Sequence, residues 1–493
     1  MAAFSSNGNP SFGSLNLAPF FELPALPNIV AEWAAIIPLV CHLASYRRDY
    51  RTLGDVALLG CISLSLFPKL GTLAGLSRLL RRGPEFFDEA STRGGATCTV
   101  WDVRWGSVFP CANGAACEFV KDFFRRRRST PAVTMPESVQ EAGSKSRPMS
   151  CPIEKSPDEK GTLRTQASET LQASERARAH QEIHAGEESQ EATKICTSSS
   201  SDSATRHGNC VFRRYQTLHV LRARFTTKRK RSMFDGARRT INFVGIAAMP
   251  ILSILLVSVL AMCGAYGTAV IVLCSMISQI AAKNTIIRRP PGYLQSNESC
   301  EDACMLMAPH QNAQEWTLFI GDRGIVDTLL NKPMIMVQDC RANSVAAAWF
   351  TAANLLQLLA MTFVAGQKGW DGVCLVILMT AEFAFQWRTQ SIRLAKAWVA
   401  EAGIDAQVNS FQFGSRMIML GAIEKFLGCK RTVWMDQIIP PHPRREAWLC
   451  NLFEEPFDEA SFIPSDIAWI KLSGALATLS ANILQRTTMA DEV

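Results

Sequence analysis

The chain has 493 residues, of which 48% are hydrophobic and 19% are charged, and its formal net charge is +7. These averages resemble those of a soluble protein, but the apolar and the charged residues occupy separate segments. The basic residues are concentrated beside apolar segments, which favours a membrane surface and disfavours a nucleic-acid partner. Sixteen cysteines in a chain of this length are too few for a disulfide scaffold.

The N-terminal region predicts a disordered start followed by membrane segments. Residues 1–26 are rich in Ser, Asn, Gly and Pro and are expected to be disordered. Within residues 27–82, residues 29–45 predict a span, whereas residues 56–80 predict either a kinked span or an interfacial helix. Both alternatives leave residue 84 onward in the cytosol, although two spans would put one short basic loop outside.

Two cytosolic segments follow. Residues 83–124 contain Trp101 and Trp105 and predict a small patch that is cytosolic or membrane-associated. Residues 125–209 are dominated by Ser, Glu, Lys, Arg and Thr. Because such a segment buries too little apolar surface to offset its ordering entropy, we predict a disordered loop. Its Ser and Thr residues are candidates for phosphorylation. The loop is also a candidate for contact with protein partners.

Basic clusters lie at both ends of the region before the first long apolar run. Residues 206–239 carry eleven Lys or Arg, and residues 210–240 are interpreted as a basic juxtamembrane segment. Each basic residue near an anionic membrane contributes about 1 kcal/mol of binding. We therefore predict that anionic lipid head groups bind two clusters, namely Arg125, Arg126, Arg127, Arg128 and Lys228, Arg229, Lys230, Arg231.

Residues 241–282 contain no Asp, Glu, Lys or Arg. A helix needs about 20 apolar residues to cross a bilayer, so this stretch predicts a transmembrane hairpin with a turn at the glycines Gly264 and Gly267. Residues 283–343 then predict a cytosolic loop subdomain, with strands at 316–320 and 333–337. Cys300, Cys304 and His310 suggest metal ligands only superficially, because a second ligand pair is absent nearby. No metal or cofactor is predicted.

A second hairpin has the same layout as the first. Residues 344–365 are uncharged, residues 366–372 predict the turn, and the hairpin ends at 387. Residues 388–493 predict a cytosolic C-terminal region with a strand near 408–419 and a helix near 466–485. The helix contains Lys471 and many small residues, so we expect it to pack against protein or lie at the interface.

Glu382 is the strongest candidate site residue in the sequence. It lies in the returning helix of the second hairpin, where an ionised carboxylate is costly and therefore a functional candidate. Asn354 and Gln357 lie three residues apart on the partner helix, hence on one face, where they can donate hydrogen bonds to it. The three predict a polar site for a proton or cation. In the alternative interpretation, Glu382 reaches the nearby cytosolic surface and pairs there.

The predicted fold is mainly α, a multi-pass helical membrane protein with two hairpins and one or two N-terminal segments. Small mixed α/β cytosolic segments and a long disordered loop complete it. The motifs of phosphate loops, dinucleotide-binding turns and nucleophile elbows are absent from the sequence. We therefore predict a non-catalytic protein that anchors basic, phosphorylatable segments to a bilayer. The alternative is a homo-oligomeric transporter or channel that uses the site around Glu382.

Overall fold

The computed structural model describes residues 21, 24–45, 49–64, 69–93, 97–127, 132–136, 215–226, 250–296, 302–367, 369–428 and 430–489. The segments predicted to be disordered, 1–26 and 125–209, lie largely outside these residues. The basic cluster 228–231 lies wholly outside them.

The described residues are mainly helical and also form a large sheet. The helices are α1 (Asn28–Ala44), α2 (Asp49–Leu59), α3 (Thr72–Arg82), α4 (Pro84–Arg93), α5 (Gly114–Arg127), α6 (Pro250–Met262), α7 (Tyr266–Lys283), α8 (Arg323–Leu330), α9 (Arg341–Gln367), α10 (Trp370–Ala402), α11 (Arg416–Leu427), α12 (Pro443–Leu452) and α13 (Pro464–Met489). The strands are β1 (Thr99–Asp102), β2 (Val108–Pro110), β3 (Val133–Thr134), β4 (Gln216–Phe225), β5 (Ile287–Arg288), β6 (Ala303–Ala308), β7 (Glu315–Gly321), β8 (Met336–Val337) and β9 (Ile404–Phe413).

Seven of these strands form one mixed sheet in the order β2-β1-β6-β7-β4-β9-β3, and β5 pairs with β8 separately. In the centre, β4 is parallel to β7 and antiparallel to β9. The sequence predicted several small mixed segments, but the structure joins them in this single sheet. The strands come from regions up to about 300 residues apart, and pairing at that separation leaves no local pattern to read.

Helices cover both faces of the sheet. Alternate residues of each strand point to opposite faces. On one face, strand residues such as Trp101, Leu218 and Phe411 pack in a core with α11, α12 and α13. On the other face, Leu221, Phe319 and their neighbours pack against α2, α5, α8 and the C-terminal part of α10.

The central strand β4 lies in the segment that we interpreted as basic and juxtamembrane. Arg222 and Arg224 obscure the strand pattern, since they add charge to an otherwise buried run. The Arg222 guanidinium donates a hydrogen bond to the Thr488 carbonyl oxygen near the end of α13, at 2.8 Å. The correction is therefore that residues 216–225 belong to the folded core of the sheet.

Residues 56–80 form neither of the single membrane segments that the sequence predicted. The structure divides this stretch into α2, which ends at Leu59, and α3, which begins at Thr72 after Gly71. Helix α3 packs along α9, where the Ser77 hydroxyl donates a 2.8 Å hydrogen bond to the Ala347 carbonyl oxygen.

Each of the two predicted hairpins corresponds to two consecutive helices joined by a short turn. Gly264, with a φ of 79°, lies in the turn between α6 and α7, and residues 368–369 separate α9 from α10. Helix α10 was expected to end at 387 but continues to Ala402, so that Ala395, Trp398 and Val399 reach the sheet core. Among the described residues, α7, α9 and α13 are long and apolar enough to cross a membrane, and α1 and α6 are apolar but shorter.

Candidate functional site in the helical bundle

The helices α1, α6, α7, α9 and the first half of α10, which we call the bundle, expose apolar rather than polar surface. In α1 the buried positions are mostly small, namely Ala31, Ala34, Ala35, Pro38 and His42. Its large side chains point outward, and Ile29 is 72% exposed. The same holds for Ile251 of α6 and Leu359 of α9, which are 70% and 64% exposed. Most exposed large apolar side chains in the described part of the chain lie on the bundle.

The turns of the two hairpins are joined by Asp371, a residue that sequence reasoning missed. Its carboxylate accepts the backbone N–H groups of Gly267 and Thr268, each at 2.7 Å, and the Thr268 hydroxyl. Asp371 is buried and so satisfies two of the N–H groups that a helix start leaves unpaired. We call this end of the bundle the tip.

The close approach of the two turns requires a glycine. A Cβ on Gly267 would lie 2.4 Å from the Val364 Cγ2 atom and 2.8 Å from an Asp371 carboxylate oxygen. Similarly, a Cβ on Gly372 would lie 2.9 Å from backbone atoms of Ala34, which places α1 against the start of α10. The tip is therefore a packed junction of α1, α7, α9 and α10.

Below the tip, the bundle contains an apolar layer. Leu70, Ile271, Ala360, Met361 and Leu375 form one buried cluster, and Leu39 and Met379 pack against it. The layer contains at least one residue from each of α1, α7, α9 and α10.

Four polar side chains follow members of the apolar layer along their helices, and we call this set of residues the polar layer. Its members follow the apolar layer at a spacing of three or four residues, which keeps them on the same helix faces. They are His42 after Leu39, Ser275 after Ile271, Glu382 after Met379, and Gln357 before Ala360. Helix α9 runs toward the tip and the other three run away from it, so each of the four residues lies farther from the tip than the apolar neighbour named with it.

All four members of the polar layer are buried, and Gln357 is completely so. Within the described residues, neither the amide nitrogen nor the amide oxygen of Gln357 has a hydrogen-bond partner, and the same is true of His42 Nδ1. A buried amide without partners costs several kcal/mol relative to its hydrated state. An ordered water molecule or an ion could complete the hydrogen bonds of such a group.

The structure thus does not place the three predicted residues Glu382, Gln357 and Asn354 in one group. Glu382 and Gln357 lie in the polar layer, and Asn354 lies one turn further from the tip, half-buried on α9. His42 and Ser275 were not predicted. The signal for His42 was available, since it is a titratable residue in an apolar run, but a lone histidine there carried no visible partner in sequence.

The ends of two helices meet beside His42. A Cβ on Gly71, whose φ is 74°, would lie 2.6 Å from the His42 carbonyl oxygen and still closer to the Ser45 hydroxyl. The C-terminal end of α1 therefore meets the N-terminal end of α3, and both helices pack on α9. The unpaired N–H groups and the positive dipole end of α3 begin beside His42.

The predicted lipid-binding arginines are only partly described. Arg125, Arg126 and Arg127 form the exposed last turn of α5, and Arg125 pairs with Glu315 at 3.5 Å. Arg128 lies outside the described residues, as do Lys228, Arg229, Lys230 and Arg231. Lipid binding by either cluster stays a prediction.

A second polar cluster, which the sequence did not reveal, joins β1 to α8. The Asp102 carboxylate accepts the backbone N–H groups of Arg104 and Trp105 at 3.0 and 3.1 Å and faces Arg323 at 3.6 Å. Arg323 also pairs with Asp327 at 3.4 Å. Burial raises the pKa of Asp102, against the hydrogen bond from Trp105 and the charge of Arg323. We interpret this cluster as structural.

Of the residues that superficially suggested a metal, the structure describes Cys304 and His310. Cys304 is buried in β6 and faces the sheet core, and Cys300 lies outside the described residues. In the part of the chain that the structure describes, no group of three His, Cys, Asp or Glu residues has the arrangement of a metal site.

Comparison of the chain with protein-family models, with curated proteins and with solved structures finds no match in any of the three.

Proposed function

We propose that this chain is a multi-pass membrane protein whose bundle crosses a bilayer and holds the sheet and the basic segments at the cytosolic face. The observation that carries the proposal is that the bundle helices expose their large apolar side chains. Small residues such as Ala34 and Ala35 face inward, whereas large apolar residues such as Ile29 face outward. In water each exposed large side chain would forgo about 1.5–3 kcal/mol of burial, whereas in lipid it loses nothing.

The connectivity of the sheet supports the same topology. The first hairpin lies between β4 and β6, and the second lies between β7 and β9, yet all four strands belong to one sheet. In the proposed topology each hairpin crosses the bilayer an even number of times, since an odd number would put strands of one sheet on opposite sides.

The distribution of charge supports a cytosolic position for the sheet. Of the 51 Lys and Arg residues, only Lys368 lies in the two tip turns, and residues 1–26 contain none. The basic residues are thus concentrated on the side of the sheet, which the positive-inside rule assigns to the cytosol. The protein would be non-catalytic, and the exposed arginines at the end of α5 would meet anionic head groups.

A pair of matched substitutions tests insertion. Leu359→Arg places a charge on the outward face of α9, and Leu472→Arg places one on the outward face of α13, where Leu472 is 46% exposed. If the bundle lies in lipid, Leu359→Arg costs about 2.5–3.5 kcal/mol of insertion free energy, and Leu472→Arg costs almost nothing. Carbonate-resistant membrane association of the full chain translated with microsomes measures both. Equal behaviour of the two variants, or extraction of the wild type by carbonate, would refute insertion.

Glycosylation tests orientation in the same system. An extended loop with an acceptor site, inserted at Lys368, should be glycosylated, and so should an acceptor in residues 1–20. The natural Asn297-Glu298-Ser299 sequon lies between the two hairpins in the sequence, so the proposed topology predicts that it stays unmodified. Modification at Asn297 with none at the tip would invert the proposed topology.

A further inference from the structure

We propose that Cys111 and Cys117 are a dithiol that closes to a disulfide on reaction with a small disulfide such as oxidised glutathione. Cys98 is the thiol that meets this oxidant first. We call the three residues the thiol cluster. The inference is independent of the proposed membrane insertion and adds a modification site at one face of the sheet.

The sulfur atoms of Cys111 and Cys117 are in direct contact. Cys111 follows the last residue of β2, and Cys117 lies in the first turn of α5. Their Sγ atoms are 3.8 Å apart, within hydrogen-bond distance for sulfur, and both residues are at most 1% exposed. Two thiols that already touch need side-chain rotation, rather than a movement of the backbone, to close a disulfide.

Cys98 stands opposite Cys111 at the open end of the β1–β2 hairpin. The register pairs Thr99 with Pro110, and the Cys111 N–H donates to the Cys98 carbonyl oxygen at 2.8 Å. The two cysteines are therefore the next cross-strand pair, with their side chains on the same face of the sheet. All three cysteines belong to or adjoin one core. Cys98 is half-buried whereas the other two are buried, so a small reagent reaches Cys98 first.

The surroundings of the thiol cluster disfavour thiolates and thereby favour the closed disulfide. Burial raises the pKa of Cys98 to about 11, and Cys111 adds to this rise while Lys121 opposes it. The hydrogen bond with Cys111, followed by burial, raises the pKa of Cys117 well above its usual value. A disulfide is easily reduced when its reduced form is stabilised as a thiolate. Scarce thiolate makes the closure slow at neutral pH, but the product resists reduction once it has formed.

The exchange proceeds in three steps that balance in sulfur, protons and electrons. The Cys98 thiolate attacks the small disulfide, forms a mixed disulfide and releases one small thiolate. The Cys111 thiolate attacks the Cys98 sulfur and releases the second small thiolate. The Cys117 thiolate then attacks the Cys111 sulfur, and Cys98 leaves as a thiolate. In sum, the protons of Cys111 and Cys117 pass to the two small thiolates, and the small disulfide takes up the two electrons.

The fold accommodates the loss of the Cys117 thiol because a second donor serves the same acceptor. The Cys117 thiol donates to the Leu329 carbonyl oxygen of α8 at 3.1 Å, and the Asn113 amide donates to the same oxygen at 3.2 Å. The Asn113 amide also donates to the Thr328 carbonyl oxygen at 2.9 Å. Closure removes the thiol donor and leaves those of Asn113, so the last carbonyl groups of α8 stay satisfied.

The experiment maps the thiols of the reconstituted full chain after incubation with oxidised glutathione. The sample is quenched with acid, denatured and labelled with N-ethylmaleimide, and its tryptic peptides are analysed by mass spectrometry without reduction. Trypsin cleaves after Arg93, Arg104 and Lys121, so Cys111 and Cys117 share peptide 105–121 whereas Cys98 lies in peptide 94–104. We expect peptide 105–121 to lose both labels and two hydrogen atoms on oxidation, and dithiothreitol to restore both labels.

Cys274 and a Cys98→Ser variant are the controls. Cys274 is also buried, in α7, and should be labelled in full before and after oxidation. Cys98→Ser should slow closure by about tenfold or more, because the accessible thiol is lost. Labelling of Cys111 and Cys117 after prolonged oxidation refutes the dithiol, and so does a lasting cross-link between peptides 94–104 and 105–121 or an equal loss of label at Cys274. An unchanged rate in Cys98→Ser refutes entry through Cys98.

Discussion

Asp371→Asn tests whether the carboxylate at the tip holds the two hairpins together. The wild-type carboxylate accepts two backbone N–H groups and one hydroxyl from the first turn of α7 while it is almost fully buried. Asparagine has nearly the same shape but a single acceptor atom, so its amide nitrogen would face the Gly267 N–H, donor against donor.

The expected cost follows from these contacts. A buried N–H without a partner costs about 1–3 kcal/mol, and the lost charge at the positive end of α7 adds about 0.3–1 kcal/mol. Asp371→Asn should therefore lower the free energy of unfolding by about 2–4 kcal/mol. A second substitution, Thr268→Val, removes the hydroxyl donor, and the double variant should show a coupling energy of about 1 kcal/mol.

The assay is chemical unfolding of the reconstituted full chain, followed by tryptophan fluorescence. Asp339→Asn removes one charge from an exposed aspartate just before α9 and should leave stability unchanged within about 0.5 kcal/mol. If Asp371→Asn lowers the free energy of unfolding by less than this limit, the carboxylate does not join the two turns. The same conclusion follows if the effects of Asp371→Asn and Thr268→Val are additive.

Two further predictions concern the buried Glu424 and Gly71, where the ends of α1 and α3 meet. Burial raises the pKa of Glu424 to about 7, although the hydrogen bond from Trp434 Nε1 lowers it. The folded state therefore disfavours the ionised form. The contribution of Glu424 to the free energy of unfolding should be fully present below pH 4.5 and fall by about 3 kcal/mol as the pH rises to 7. Unfolding titrations from pH 4 to 8 should show this slope in the wild type and not in Glu424→Gln, and identical slopes would contradict it. Gly71→Ala should cost about 2–4 kcal/mol from strain and overlap with α1. In the same unfolding assay Gly428→Ala, which has a similar positive φ but open space, should cost only about 1–2 kcal/mol, and equal losses would remove the overlap from the explanation.

The sequence predicted the local features of the bundle and missed its long-range ones. The turn at Gly264 and the helices on either side follow from hydrophobic run length and from one glycine, both of which are local. Asp371 was read only as part of a turn, because its partners Gly267 and Thr268 lie about 100 residues earlier. No pattern in a single sequence links groups so far apart.

The same reasoning explains the candidate site. Gln357 and Glu382 were identified because polar residues are rare in apolar helices. His42 and Ser275 join them only through the packing of α1 and α7 in the apolar layer. The sheet was predicted least well, since β4 reads as a basic segment until β7 and β9 are placed on either side of it.

Helix α13 is the element for which hydropathy and packing give different answers. Its length and composition would allow it to cross a membrane. However, Ile470, Ala477 and Leu484 are buried in the sheet core, and both ends of the helix contact the sheet layer. Near its start Asp466 pairs with Arg444 of α12 at 3.3 Å, and near its end the Thr488 carbonyl accepts from Arg222 of β4. A helix of 26 residues is about 39 Å long. If α13 crossed a membrane, its two ends would lie on opposite sides of the bilayer, and one of these two contacts with the sheet and its covering helices would be lost. The buried apolar residues of α13 therefore belong to the core of the sheet.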